Sequence, residues 1–228
     1  MSDVPGFHNR KNPISSKIRS LLVSLTKKPS EYDEITPKIE YWIEYVLRED
    51  FITVDELAEG VSYVAWENGG SYEGVARFLK EFQDAPHRSQ QARSFITQLC
   101  SHVLRWFAIA SVEGLSMVWH NGSIASCGGS GFVRAASFVG HLIECSLLSH
   151  KLVRRHLIKP LINHDDEDPK SSWEPSRANA IYQLFITAGN TLLQGLLEAE
   201  DVRLGFKILD AQTILGNIVE HNAARVKV

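Results

Sequence analysis

Four basic residues, Lys151, Arg154, Arg155 and Lys159, are the strongest candidates for binding chemistry in this 228-residue chain. Positions 151, 155 and 159 lie four apart, so a helix would carry them on one stripe. Ammonium and guanidinium groups in such a stripe suit a carboxylate-rich protein surface or RNA phosphates. They equally suit a solvated face near a helix C-terminus, where the helix dipole favours cations. Trp173 stands in the loop that follows. A loop tryptophan is either a partner-binding anchor or a ring folded back on the last helices.

Other constellations carry less. Asp165, Asp166, Glu167 and Asp168 supply carboxylates but lack the spacing and glycine of an EF-hand loop, so a solvated loop is expected. Cys127-Gly128-Gly129-Ser130-Gly131 is followed by Phe132 and Val133 rather than Lys and Ser or Thr, and no strand is read before it, which removes a P-loop. Cys127 has no neighbouring general base. His102, His120, His141, His150 and His156 have no metal-ligand partner in the sequence. The expectation is a protein with no catalytic residues, no metal, no cofactor and no small-molecule substrate.

Composition narrows the class further. The chain is 44% hydrophobic and 22% charged, as folded soluble proteins are. A net charge of -3 argues against gripping nucleic acid over the whole surface, so RNA contact needs a local patch. Three cysteines with no C-x-x-C pair suit a reducing compartment. The opening MSDVPGFHNRKNP has no signal-peptide core, and the apolar run Val103 to Trp119 is broken by Arg105 and Glu113. A cytoplasmic protein with no membrane span is expected.

The elements that must position these groups read as helices throughout. Residues 1–13 form a flexible N-terminal lead-in, and 14–222 form one helical-repeat domain. Ile14, Ile18, Leu21, Leu22 and Leu25 mark the first helix, which Lys27-Lys28-Pro29 ends. Thr36-Pro37 reads as the start of the second, with Ile39, Trp42, Ile43, Val46 and Leu47 inward. Thr53-Val54-Asp55-Glu56 is a capping box opening a third helix through Trp66. Ser71 caps a fourth carrying Val75, Phe78, Leu79 and Phe82. A long helix then carries Phe95 to Phe107, running to His120 or bending near Gly114. Residues 121–131 read as a flexible connection, and no alternation long enough to require a strand is visible. Helices follow near 132–148, 150–162, 176–198 and 201–221. Apolar faces of this kind hide only against one another, which is the logic of a stacked array.

Several of these segments, in order, resemble the middle domain of the eukaryotic translation initiation factor 4 gamma family. Ile18 to Lys28 is similar to that family's first helix, and Val54 to Phe82 to its next pair. Gly131-Phe132-Val133-Arg134 with Phe138-Val139-Gly140-His141-Leu142 resembles its GNIRFIGEL-type helix, with an insertion between the halves. Leu147-Leu148-Ser149 is similar to its short turn, and Lys159 to Glu167 to the junction after the next helix. Leu184 to Leu192 resembles the LLTTIGKxL signature. The likeness spans about residues 14 to 205. It implies an all-α, HEAT/armadillo-like α-α superhelix of antiparallel helix pairs. It also implies a non-catalytic scaffold that docks a DEAD-box RNA helicase, often with RNA, in translation initiation or messenger RNA metabolism. Cys127 to Ser130 stand where the family usually carries basic residues, and the chain stops before a further helix pair that often helps hold the helicase. Both departures favour an alternative, a protein–protein adaptor that binds neither RNA nor helicase.

Overall fold

The computed structural model describes residues 13–49, 52–67, 70–112, 118–120, 123–125, 128–149, 152, 180, 183–184 and 186–188. Six helices dominate them: α1 (Pro13–Lys27), α2 (Tyr32–Glu49), α3 (Val54–Ser62), α4 (Glu73–Asp84), α5 (Gln90–Val112) and α6 (Gly128–Glu144). Tight 3-10 turns, Pro29–Glu31 and Tyr63–Trp66, precede α2 and follow α3.

Each helix buries the stripe that its spacing dictates. Ile18, Leu22 and Leu25 of α1 are inaccessible, as are Val75, Phe78, Leu79 and Phe82 of α4. These stripes join one continuous hydrophobic cluster shared by all six helices and by Ala180, Leu184 and Ala188. The described part is therefore an all-α body with a common core. α1 lies against α2, α3 and α4, while α5 lies against α2, α3, α4 and α6, with its largest contact on α3.

Helix ends follow local chemistry. The Thr53 hydroxyl accepts from the Glu56 N–H at 3.2 Å, and the Glu56 carboxylate accepts from the Thr53 N–H at 2.8 Å, so the capping box forms as its sequence requires. α6 closes on Ser146, whose φ of 58° is left-handed. The Ser146 N–H donates to the Ile143 carbonyl at 2.9 Å and the Leu147 N–H to the Leu142 carbonyl at 2.8 Å, the paired bonds of a Schellman cap.

Three readings need correction. Thr36 does not cap α2. The helix begins at Tyr32, Pro37 lies inside it, and the Thr36 hydroxyl donates back to the Tyr32 carbonyl at 2.9 Å. The earlier start brings Ile35 into the buried row with Ile39 and Ile43, which offsets the backbone bond that Pro37 forfeits. Ser71 sits one place early. Tyr72 occupies the cap position of α4, and the Ser71 hydroxyl accepts from the Glu73 N–H at 3.3 Å.

The third correction concerns the connection after α5, which is not wholly irregular. β1 (Val118–His120) pairs antiparallel with β2 (Ser123–Ala125), and α6 already starts at Gly128. Strands of three residues are too short to leave a readable alternation, and in the sequence only the Asn-Gly dipeptide between them is a turn signal. α5 itself ends at Val112. Apart from Leu152, Ala180, Gln183, Leu184 and Ile186 to Ala188, the helices expected beyond residue 149 lie outside the described residues.

Candidate interaction surface

The residues singled out first, Lys151, Arg154, Arg155, Lys159 and Trp173, lie outside the described residues. So do Cys127 and the acidic loop Asp165 to Asp168. Within the described part, the surface best suited to recognition is the outer side of α2, which sequence reasoning missed. Tyr41, Trp42 and Tyr45 form a three-ring cluster there. Tyr41 and Tyr45 stack with centroids 6.0 Å apart, and Trp42 meets both edge-on, at 5.5 and 5.8 Å. Tyr41 is 58% exposed, a large value for an aromatic ring. The ammonium of Lys17 on α1 stands 4.0 Å from the Trp42 ring centroid, a cation–π contact that ties the cluster to the first helix.

The geometry follows from spacing. The buried row of α2 is Ile35, Ile39, Ile43 and Val46. Tyr41 falls on the far side of the helix from that row, while Trp42 and Tyr45 flank it half-buried. Reading Trp42 simply as core overlooked that its neighbour at 41 cannot be inward as well. The YWIEY run was the available signal.

Polar contacts fix α2 and the loops around it. Arg88, whose side chain is only 6% exposed, pairs with Glu40 at 2.6 Å and with Glu44, and its guanidinium lies 4.4 Å from the Phe82 ring. A guanidinium held by two carboxylates of one helix pins the 85–89 connection against α2. The turn after α3 is gathered from several sides. The Tyr72 hydroxyl lies within 3.1 to 3.3 Å of the Val64, Ala65 and Glu67 carbonyls, which share its one proton, and Arg134 of α6 donates to the Trp66 carbonyl at 3.2 Å. Arg19 of α1 pairs with Glu67 at 2.5 Å. The Tyr72 and Arg134 donors thereby supply partners to carbonyls at the end of this turn.

Tyr32, Arg77 and Glu81 join the start of α2 to α4. The Tyr32 hydroxyl donates to Glu81 at 2.6 Å, Arg77 donates to the other carboxylate oxygen at 2.9 Å, and the Arg77 guanidinium lies 4.1 Å from the Tyr32 ring. The Tyr32 hydrogen bond, more than Arg77, holds Glu81 below its ordinary value of 4.5. Burial first, then Glu81, pushes the Tyr32 phenol well above its ordinary value of 10.0. A depressed carboxylate contributes stability above its unfolded pKa and loses it as pH falls through the folded one. A raised phenol contributes stability below its unfolded pKa and loses it as pH rises beyond. Tyr32→Phe is therefore expected to flatten the pH dependence of stability on both limbs, below 4.5 and above 10.0. Denaturant titrations across pH check this, and superimposable wild-type and variant profiles would contradict it.

Little in the described part is arranged for bond-making. Burial pushes the Cys100 thiol up to about 12, so it holds its proton at neutral pH. His102 is nearly buried, with Nε2 2.9 Å from Asp55 at the start of α3, and His141 contacts Glu144 at 3.2 Å. Among the described residues, no group of three or more His, Cys, Asp and Glu could hold a metal ion, and no helix is long and apolar enough to cross a membrane. No protein-family model, no curated protein and no solved structure matches the chain.

Proposed function

We propose that this chain is a non-catalytic helical scaffold that holds a DEAD-box RNA helicase, acting in translation initiation or messenger RNA metabolism. The observation that carries the reading is the way the helices pack. α1 lies beside α3 and α3 beside α5; α2 lies beside α4 and α4 beside α6. α1 also meets α4, and α5 also meets α2 and α4, so what supports the reading is a set of helices packed side by side around one core, the kind of element from which HEAT-type stacks are built. The motif order that resembles the initiation factor 4 gamma middle domain supports the same reading. α2 would then present Tyr41, Trp42 and Tyr45 on an outer wall, where aromatic rings make effective contacts for another protein. The mechanism would be clamping. Two separated patches on a stiff array hold the helicase lobes near their closed orientation and shift its conformational population without chemistry by the scaffold.

A second reading, an adaptor that binds neither RNA nor helicase, is favoured by the charge of the described surface. Lys38 pairs with Glu34 and Arg48 with Glu49 along α2, which leaves no broad cationic face there for a phosphate backbone. A gel-shift titration with single-stranded RNA at two salt concentrations separates the readings on the RNA side. Binding that weakens steeply with salt supports RNA as part of the scaffold's cargo, and no shift at low salt favours the adaptor.

A further inference from the structure

We propose that Tyr41 and Glu44, neighbours on the outer surface of α2, form a docking point for an arginine side chain on a segment of a partner protein. The inference rests on the reading of α2 as an outer wall and names the chemistry of what that wall holds. Residues three apart on a helix are surface neighbours, so the Tyr41 ring and the Glu44 carboxylate share one patch. That patch is open: Tyr41 is 58% exposed and the Glu44 side chain 50%. The guanidinium of Arg88, itself only 6% exposed, reaches Oε1 of Glu44 and Oε2 of Glu40. One cation thus serves two carboxylates, which leaves a negative charge uncompensated at this surface. Among the described residues the Tyr41 ring meets Trp42 and Tyr45, and no cation lies over it.

The chain itself shows twice how a ring and a carboxylate take up an arginine. The Arg77 guanidinium lies 4.1 Å from the Tyr32 ring centroid while Arg77 donates to Glu81 at 2.9 Å. The Arg88 guanidinium lies 4.4 Å from the Phe82 ring centroid while it holds Glu40 and Glu44. A planar guanidinium can stack its face on a ring and aim its edge donors at a carboxylate together. At Tyr41 and Glu44 the ring and the carboxylate are present without a stacked guanidinium. Charge selects this occupant over others. An acidic segment or a phosphate backbone would meet Glu40 and Glu44 with like charge. An apolar segment would cover the Glu44 carboxylate without offering a donor, and burying a charge unpaired is costly. Under two-fold symmetry a second copy would bring the same carboxylates to the same patch, in a chain of net charge -3. A lysine ammonium is a point charge and cannot stack and fork together.

The probe is a short arginine–glycine peptide with blocked termini, titrated into the full chain by calorimetry beside lysine–glycine and glutamate–glycine peptides of equal length. The arginine peptide is expected to bind most tightly and the glutamate peptide not at all. Tyr41→Leu keeps apolar area but loses the π face, and should weaken the arginine peptide by roughly two- to fivefold, the range of an exposed cation–π contact. Tyr41→Phe keeps the ring and should keep the affinity. Glu44→Gln should weaken binding by a similar factor to Tyr41→Leu, with helix content unchanged in every variant. Equal affinity for the arginine and lysine peptides overturns the proposal, as does arginine binding that neither Tyr41→Leu nor Glu44→Gln changes. No binding at low salt overturns it equally. The peptide titration contains no helicase and no RNA, so its failure leaves stimulation of a helicase by the wild-type chain to be judged separately.

Discussion

Phe138→Ala lowers the unfolding free energy by roughly 3–5 kcal/mol, among the largest effects expected of a single substitution in the described core. Phe138 sits on α6 and is among the largest fully buried side chains. Its ring lies 5.1 Å from that of Tyr72, the residue whose hydroxyl gathers the carbonyls after α3. Truncation removes apolar area from water-free surroundings and leaves a hole at the place where α6 meets α4 and the 63–66 turn. Rigid neighbours cannot close that hole, because the turn is also held by Arg134 and Tyr72. Urea titration measures the loss. A change below about 1 kcal/mol would mean that α6 is not part of the shared core, since surface substitutions fall in that range.

Gly140→Ala should also destabilise, although alanine is the better helix former. The gain from propensity is about 1 kcal/mol in a helix interior. Against it stands the close approach of the 183–188 segment. A Cβ at position 140 would lie 1.6 Å from the Thr187 hydroxyl oxygen, 2.7 Å from its Cβ and 3.2 Å from the Leu184 carbonyl oxygen. Rotating Thr187 relieves the first contact only, and it breaks the hydrogen bonds from its hydroxyl to the Gln183 and Leu184 carbonyls. The remaining contacts force the segment away from α6. Overpacking of this kind costs typically about 1–3 kcal/mol, and here it is expected to exceed the propensity gain. The decisive comparison is Gly140→Ala alone against Gly140→Ala with Thr187→Gly, which removes both the hydroxyl and Cβ of residue 187. Stabilisation by the single change, or strict additivity of the two, would show that the close packing does not exist in solution.

Much of the fold was legible in the sequence, because helical periodicity reports burial directly. Val75, Phe78, Leu79 and Phe82 are inward as their spacing requires, and so are Ala136, Val139 and Ile143 on α6. The Thr53–Glu56 box was legible because both partners lie within one turn. What misled the reading was local chemistry overridden by burial. Thr36-Pro37 looks like a helix start, yet burial of Ile35 extends α2 to Tyr32. The β1–β2 hairpin was hidden by its brevity. The aromatic surface of α2 was missed for another reason. A helical stripe identifies which residues point inward, but a tryptophan or tyrosine beside that stripe can be half-buried and half-available. Tyr41 shows this at 58% exposure, next to a Trp42 that is partly covered. Long-range contacts such as Arg88 to Glu40 and Arg134 to the Trp66 carbonyl left no trace in spacing, since their partners lie far apart in the chain.

On the proposed reading, the chain acts only through what it holds. If the outer faces of stacked helices grip both lobes of a helicase, the scaffold favours the closed, hydrolysing form in proportion to its differential affinity for that form. Tight binding to open and closed forms alike would change nothing in turnover. The direct measurement is the RNA-dependent ATPase rate of a purified DEAD-box helicase of the translation-initiation class, titrated with this protein to saturation. The account predicts a saturable rise in rate. Absence of both binding and stimulation at high protein concentration would contradict it.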